Sequence, residues 1–595
     1  MSDTIDFSGL VPSELPDGTE VHREGIELGR GIERARSLFC EEQGVRSERE
    51  FRERSREQGR FTTSINIGLN TWADTREALG CIIEDAKSRG VAPPDQFTLL
   101  AERRMGLPES MRRDAPSETG PCLWTEQDWW ELTHAYPIQP GAEDNMIGGP
   151  GSVENVVRAL QVGVTTVGVF SQYFWRWPYW DDDVAQTVAV VKAAGALAAW
   201  AHEGTCFNSY IDDGYPGVFH DYANLVGWTM AERYVSETLL KVPYSGSWGG
   251  LTSDPTLKTA VTLALHETNP HKVPPSFTHG DTIGNDADLE ANYGTTSTDV
   301  LFMKVTDNRY KIGGAVKAVP VTEAIRVPSW QEISAVHALN RRLENYVPAV
   351  ERMTDWSYIE AQRDLLVEGG KRFYSALLTG MARGGIDTKD PVRFMLALKK
   401  LGAVRAEEYF GAGELDSFYP RGRKPVFQTD LLRRTLGERD VVVNKLRADG
   451  GTEALKGLRI VVASTDVHEL AVLLLCTALS AAGADVVDFG ISRDPEDIAK
   501  AAAETAAHAV AVTTHNGVAR SFSTRLISEL AAQRMPRTVV CMGGVLNEDV
   551  EGSDIPIDVR EEVLAMGVLA PAGIDQLIVQ LAERAGRTAP VPGAV

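Results

Sequence analysis

The stretch "LRIVVASTDVHELAVLLLCTALSAAG", Leu458 to Gly483, reads as an apolar strand, a short polar loop and a long apolar helix. The run "LRIVVA" has the length and branched side chains of a buried strand, whereas "ELAVLLLCTALSAAG" has the length of a helix. Between them, "STDVHELA" (464–471) sets Asp466 and His468 two residues apart where strand gives way to helix. Such a pair is either a polar first helical turn or a histidine held out as a ligand, with the carboxylate fixing its tautomer.

The residues that follow repeat the pattern. "ADVVDFG", "AVAVTTH", "RTVVCMGG" and "GVLAPAG" each precede a helical segment, so five βα units between 457 and 588 predict a doubly wound parallel sheet. Loops that follow strands in such a sheet leave on one edge, where ligands bind. The unusual residues fall in those loops: Asp466 and His468 after the first strand, Thr513, Thr514 and His515 after the third, Gly543 and Gly544 after the fourth, Gly573 after the fifth.

Working outward, 595 residues predict two or three domains. An apolar content of 43% with 24% charged residues is that of a soluble globular protein. A net charge of -23 excludes the basic footprint of a non-specific nucleic-acid binder. The N-terminus lacks a basic region followed by an apolar core, and Gly and Asp interrupt the most apolar windows too early to span a bilayer. Six cysteines without a C-x-x-C pair read as reduced thiols, so the expectation is a cytoplasmic protein that binds neither nucleic acid nor membrane. Residues 1–60 are rich in both charge signs and read as a solvated helical arm; 61–425 alternate β-rich runs with helices, the pattern of an α/β barrel of the (β/α)8 TIM type; 426–456 read as a linker and 457–595 as the Rossmann-like domain.

The last part resembles the cobalamin-binding domain of carbon-skeleton mutases and methionine synthase, marked by D-x-H-x-x-G, then S-x-L, then G-G. Here these read Asp466-Val467-His468-Glu469-Leu470-Ala471, Thr513-Thr514-His515 and Gly543-Gly544. The resemblance implies a flavodoxin-like fold with His468 as axial cobalt ligand and Asp466 as its hydrogen-bond partner. It also implies a nucleotide tail lying beside the glycines, the loop with Gly573 closing the set. Ala471, Thr513 and His515 stand where the family has glycine, serine and leucine.

Residues 145–425 resemble, in scattered pieces, the large subunit of glutamate mutase (methylaspartate mutase): "GGPGSVENVVRALQVGV", "EGTCFNSYIDDGYP", "WGGLTSDPTLKTAVTLALHETN", "HGD" and "VPVTEAIRVPSWQEI". That resemblance implies an isomerase using adenosylcobalamin, with a small-molecule substrate and a homodimeric assembly. Glu323 falls where a glutamate meets the adenosyl ribose, with Lys317 the nearest lysine, and Asp281 where a carboxylate receives the substrate amino group. Ser245 stands where the family grips a substrate carboxylate with arginine; Arg176 and His202 are the candidates left near the other arginine positions. Two carboxylates need more than one guanidinium, so the expected substrate is a small amino acid or carboxylic acid other than glutamate. Aromatics at 173–180, Tyr210, Tyr215 and Trp248 read either as a pocket wall or as packing. A methyl-transferring corrinoid protein and a cobalamin-free descendant are the alternatives.

Overall fold

Eight short strands, each followed by a helix, run through the N-terminal half: Thr63–Ile67 (β1), Gln96–Leu99 (β2), Gln139–Pro140 (β3), Thr166–Val167 (β4), Cys206–Tyr210 (β5), Tyr244–Ser247 (β6), Phe277–His279 (β7) and Ala315–Lys317 (β8). A computed structural model describes residues 5–141, 144–282, 284–448, 451–466, 469–550 and 556–584. It divides into two units, Met1–Thr429 and Asp430–Val595. The helices start where the sequence provides caps: Thr71, Thr125, Asp182, Asp221, Asp254 and Asp288 each accept backbone N–H groups of a first turn.

In the first unit the strands form two sheets, β3-β2-β1-β8-β7 and β4-β5-β6, with every pairing parallel. A parallel bridge between Trp248 and Thr278 joins the end of β6 to β7. One face of these strands is polar where most sheet interiors are aliphatic. Ser247 Oγ donates to Asn208 Oδ1 at 2.6 Å, and Gln96 Nε2 donates to Ser276 O at 2.9 Å. The other face carries the apolar side chains that pack under the helices, such as Phe207 and Tyr244.

Helix Glu48–Glu57 lies against the starts of the strands. Glu48 and Arg52, both 0% exposed, form a two-point ion pair at 2.5 and 2.9 Å. Thr166 Oγ1 donates to Glu48 Oε2 at 2.5 Å, and Arg52 Nη1 donates to the carbonyls of Pro274 and Pro275 at 2.5 and 2.8 Å. One buried pair thereby ties the start of β4 to the residues entering β7. The charged N-terminal segment, expected as a solvated arm, is held against the unit: helix Gly18–Arg30 runs along Asp183–Ala198, with Lys192 and Glu24 paired at 2.8 Å.

The second unit begins with helix Asp430–Ala448. Its strands Arg459–Ser464 (β9), Asp485–Gly490 (β10), Ala509–Thr514 (β11) and Val539–Gly544 (β12) are parallel in the order β10-β9-β11-β12, and Leu569 bridges Cys541 as a fifth position. Alternate residues serve opposite faces: Val461, Val510 and Val512 pack under Pro495–Thr505 and Ala519–Ala532, while Ile460, Val462 and Ala511 pack under Glu469–Ala481 and Ile574–Arg584. This is the flavodoxin-like order, with its switch point between β9 and β11. Among the described residues no helix is long and apolar enough to cross a membrane.

Replacing Arg52 with Met strands a buried carboxylate and is expected to cost about 3–5 kcal/mol in denaturant unfolding. The double variant Glu48→Gln, Arg52→Met should recover part of that loss. A cost for the single variant below about 0.5 kcal/mol, the range of ordinary surface substitutions, would contradict the tie.

Candidate functional site

In the first unit the strand C-terminal ends gather a polar cluster. Lys317 ends β8 and is fully buried; its Nζ donates to Asn66 Oδ1 at 2.6 Å and Thr98 Oγ1 at 2.7 Å, and lies 3.3 Å from the centroid of the Phe277 ring. Burial drives its pKa well below the ordinary lysine value, while Asp144 and Glu323 favour the charged form. Asn66 Nδ2 lies 3.1 Å from His279 Nε2, and His279 Nδ1 lies 2.7 Å from Gly280 O. A carbonyl only accepts, so Nδ1 carries the proton and Nε2 accepts from the amide. Burial pushes the His279 pKa to about 3, with Lys317 adding to the shift.

The loop after β5 adds acids. Asp212 Oδ2 accepts from the backbone N–H of Gly249 at 2.9 Å and Gly250 at 2.6 Å, the two glycines after β6. Its Oδ1 is buried without a partner. Burial lifts Asp212 to about 6 and Asp144 to about 7, and lifts Asp213 well above the carboxylate range, with Asp144 and Asp212 contributing to the last. Tyr210 is also raised, by burial and then by Asp212, Asp213 and Glu323.

The expected residues divide accordingly. Lys317 stands in the cluster, and Glu323, six residues beyond it, is near enough to influence Lys317 and Tyr210. Asp281 follows β7 directly; its N–H donates to Asp299 Oδ2 at 2.6 Å, its Oδ2 accepts from Gly284 N at 2.8 Å, and Asp299 pairs with Lys258 at 3.0 Å. His202 is not brought to the cluster. It lies four residues before β5, so it sits at the opposite edge of the sheet, 71% exposed, with Nε2 3.9 Å from Glu203. Arg176 lies in the loop after β4, half-buried beside Lys399. Ser245 donates to Pro274 O at 2.6 Å. Of the aromatics, Phe174, Tyr215 and Trp228 stack at 4.1 and 4.3 Å as core, Tyr179 is exposed, Tyr210 lies beside the acids and Trp175 Nε1 donates to Asp213 O at 3.1 Å. Asn66, Thr98, Asp144, Asp212 and Asp213 are members that the sequence reading missed; the strand-then-"DDG" pattern of "CFNSYIDDGY" is the signal that marks the last two.

In the second unit, Ser464, Thr513 and Gly543 are neighbours in register at the ends of β9, β11 and β12. Asp466 follows β9: its Oδ1 accepts from Ser464 Oγ at 3.1 Å and its Oδ2 from His515 N at 2.6 Å, with His515 Nδ1 3.6 Å away. Thr465 Oγ1 lies 2.9 Å from Thr514 Oγ1 and 2.8 Å from Asn516 Oδ1, which knits the two switch-point loops together. His468, with Val467, lies outside the described residues, so the ligand itself is not placed. The surroundings fit a corrinoid with a nucleotide tail. Thr513 Oγ1 is buried without a partner, and a Cβ at Gly543 or Gly573 would meet nothing within 4 Å. Gly544, at φ +95°, would set a Cβ 2.3 Å from Thr514 O and 3.1 Å from His515 Cε1, so backbone and imidazole close in there.

Comparison with known proteins agrees at this domain. Residues 457–563 match the B12 binding domain family. Among solved structures, a novel cobalamin-binding protein from Desulfitobacterium hafniense DCB-2 is similar at 18% identity, over 25% of this chain and 76% of that one, with a TM-score of 0.20. No curated protein matches the chain. The C-terminal unit carries a B12-binding domain.

Two expectations follow. Gly544→Ala should destabilise the second unit, because φ is positive and the Cβ meets backbone, whereas Gly543→Ala should stay within about 0.5 kcal/mol; equal losses in thermal unfolding would contradict this. His279 is neutral when folded and takes a proton near pH 6.5 when unfolded, so its contribution to stability is complete above that pH and is lost as pH falls towards about 3. Ring nitrogen spectra should show the Nδ1–H tautomer unchanged between about pH 5 and 8, and a titration in that range would overturn the assignment.

Proposed function

We propose that the chain is an adenosylcobalamin-dependent carbon-skeleton mutase, an isomerase of the glutamate mutase type that rearranges a small amino acid or carboxylic acid other than glutamate. The observation that carries this reading is a B12-binding domain on the same chain as eight parallel strands whose C-terminal ends gather buried polar groups. We take the strands to close as a (β/α)8 barrel. The order from β4 through β5, β6, β7, β8, β1 and β2 to β3 is cyclic, and the N–H groups of Met146 and Ile147, after β3, donate to Gly168 O, after β4, at 3.2 Å. In such a barrel the chemistry lies at the strand C-terminal ends.

Adenosylcobalamin supplies a carbon-centred radical that abstracts and later returns a substrate hydrogen. The chain's own groups hold and shield. In the proposal His468 would hold the cobalt, Asp466 would orient that imidazole, and Thr513, Thr514, His515, Gly543, Gly544 and Gly573 would line the tail. Lys317 and Glu323 face the ribose, Asp281 faces the substrate, and the strand interior excludes water. Placing both units on one chain keeps them at high effective concentration.

One observation favours a second reading, a corrinoid-binding methyl carrier: helix Asp430–Ala448 stands before the B12-binding domain within the second unit, as a helical segment does in such proteins. Reconstitution with adenosylcobalamin separates the two. The mutase reading expects base-off absorption that is lost in His468→Ala, release of 5′-deoxyadenosine on substrate addition, and no efficient conversion of L-glutamate. Binding without any deoxyadenosine release from a substrate panel supports the carrier, and efficient L-glutamate turnover refutes the proposed substrate class.

A further inference from the structure

The strand-end cluster gathers carboxyl groups that the proposed reaction does not by itself explain. From the loops after β3 and β5 come Asp144, Asp212 and Asp213, with Glu323 near enough to join them, and Lys317 is the cation in reach of Asp144 and Glu323. Neighbouring arginines are engaged elsewhere: Arg103 with Glu118, Arg104 with Glu102 and Arg233 with Glu237. Ser245, where the resemblance expects an arginine, donates to a backbone carbonyl. Burial holds these carboxyl groups towards their neutral forms, so a second carboxylate would gain nothing from them, whereas a cationic ligand would favour their ionised forms.

Two further observations point to a ligand. The Asp212 carboxylate is held by the Gly249 and Gly250 N–H groups on Oδ2 and by the Tyr210 hydroxyl, and its Oδ1 is buried with no hydrogen bond of its own. Asn208, 0% exposed and on the same face of β5 as Tyr210, has its Oδ1 engaged by Ser247 while Nδ2 has no partner. A group offering N–H donors to Asp212 Oδ1, and an acceptor to Asn208 Nδ2, would complete both. Among the described residues no cluster of histidines, cysteines and carboxylates is arranged to hold a metal ion, so an organic cation fits better than an inorganic one.

Resting on the mutase reading and sharpening it, we infer that the substrate is an amine: a small molecule whose primary ammonium group is received by Asp212 and Asp213, with Asp144 behind them, and which carries no second carboxylate. The ammonium provides three donors and a positive charge in addition to those of Lys317 and Lys258, and a single further polar atom meets Asn208.

The test is calorimetric titration of the full chain, with and without bound cobalamin, using L-ornithine and 1,4-diaminobutane as amine probes and glutarate and L-glutamate as dicarboxylates. The expected result is that an amine binds, that it binds more tightly than either dicarboxylate, and that Asp212→Asn and Asp213→Asn each weaken it tenfold or more. Both variants should keep the wild-type circular dichroism and cobalamin absorption. Tighter binding of glutarate or L-glutamate, no binding of either amine, or unchanged amine affinity in both variants overturns the proposal. The mutase reading fails separately: a chain that binds amines but takes up no cobalamin, or releases no 5′-deoxyadenosine with any amine, refutes that reading and leaves the ammonium site standing.

Discussion

A lysine ammonium buried where parallel strands end is costly unless each of its protons finds an acceptor, and Lys317 meets this constraint with side chains from β1, β2 and β7. Asn66 Oδ1 and Thr98 Oγ1 accept from it and the face of Phe277 lies beneath it. The Asn66 amide, committed through its oxygen, turns its nitrogen to His279 Nε2, which in turn fixes the imidazole tautomer. One buried amino group thus orders a network across four strands, β1, β2, β7 and β8. At the opposite edge the Glu48–Arg52 pair does comparable work, joining β4 and β7 through one helix. Between these edges the strand interior is lined with hydroxyls and amides, which suits enclosing a polar ligand better than forming an apolar core.

The second unit uses a different device. Asp466 sits at the switch point and accepts from the backbone of the β11 loop, so its carboxylate position depends on both central strands. His515, where the resemblance expects leucine, places its ring beside that carboxylate and against Gly544. The crevice is therefore more polar than the family pattern implies, and Thr513 offers a buried hydroxyl at its floor.

How much of this could be read from the sequence depended on what each strand buries. β9, β11 and β12 are covered by helices on both faces, so they stand out as runs of Val, Ile and Ala; four of the five expected strands form, and the fifth is a single bridge at Leu569 before its helix. The strands of the first unit are two to five residues long and carry Asn, Ser, Thr, His and Lys on one face, so the β-rich runs that mark them are short and their bounds faint. Their helices, with caps and longer amphipathic stretches, carried the α/β pattern instead. The edge on which a residue falls was the harder matter. His202 is a candidate in the sequence because it stands near an arginine position of the resembled family, but it precedes β5 and lies at the opposite strand edge from Asp212, two residues after the same strand. Partners such as Asn66 and Thr98 have no local signal, because their role exists only once β1, β2 and β8 lie side by side.

The claim on which the account rests is that a protein histidine, His468, binds cobalt in the C-terminal unit. Electron paramagnetic resonance of the reduced cobalt(II) form tests it directly, comparing protein made with natural and with nitrogen-15-labelled histidine. The account predicts superhyperfine lines that change from triplets to doublets on labelling and vanish in His468→Ala. Triplets unaffected by labelling, which would report nitrogen from the cofactor's own tail, would contradict it.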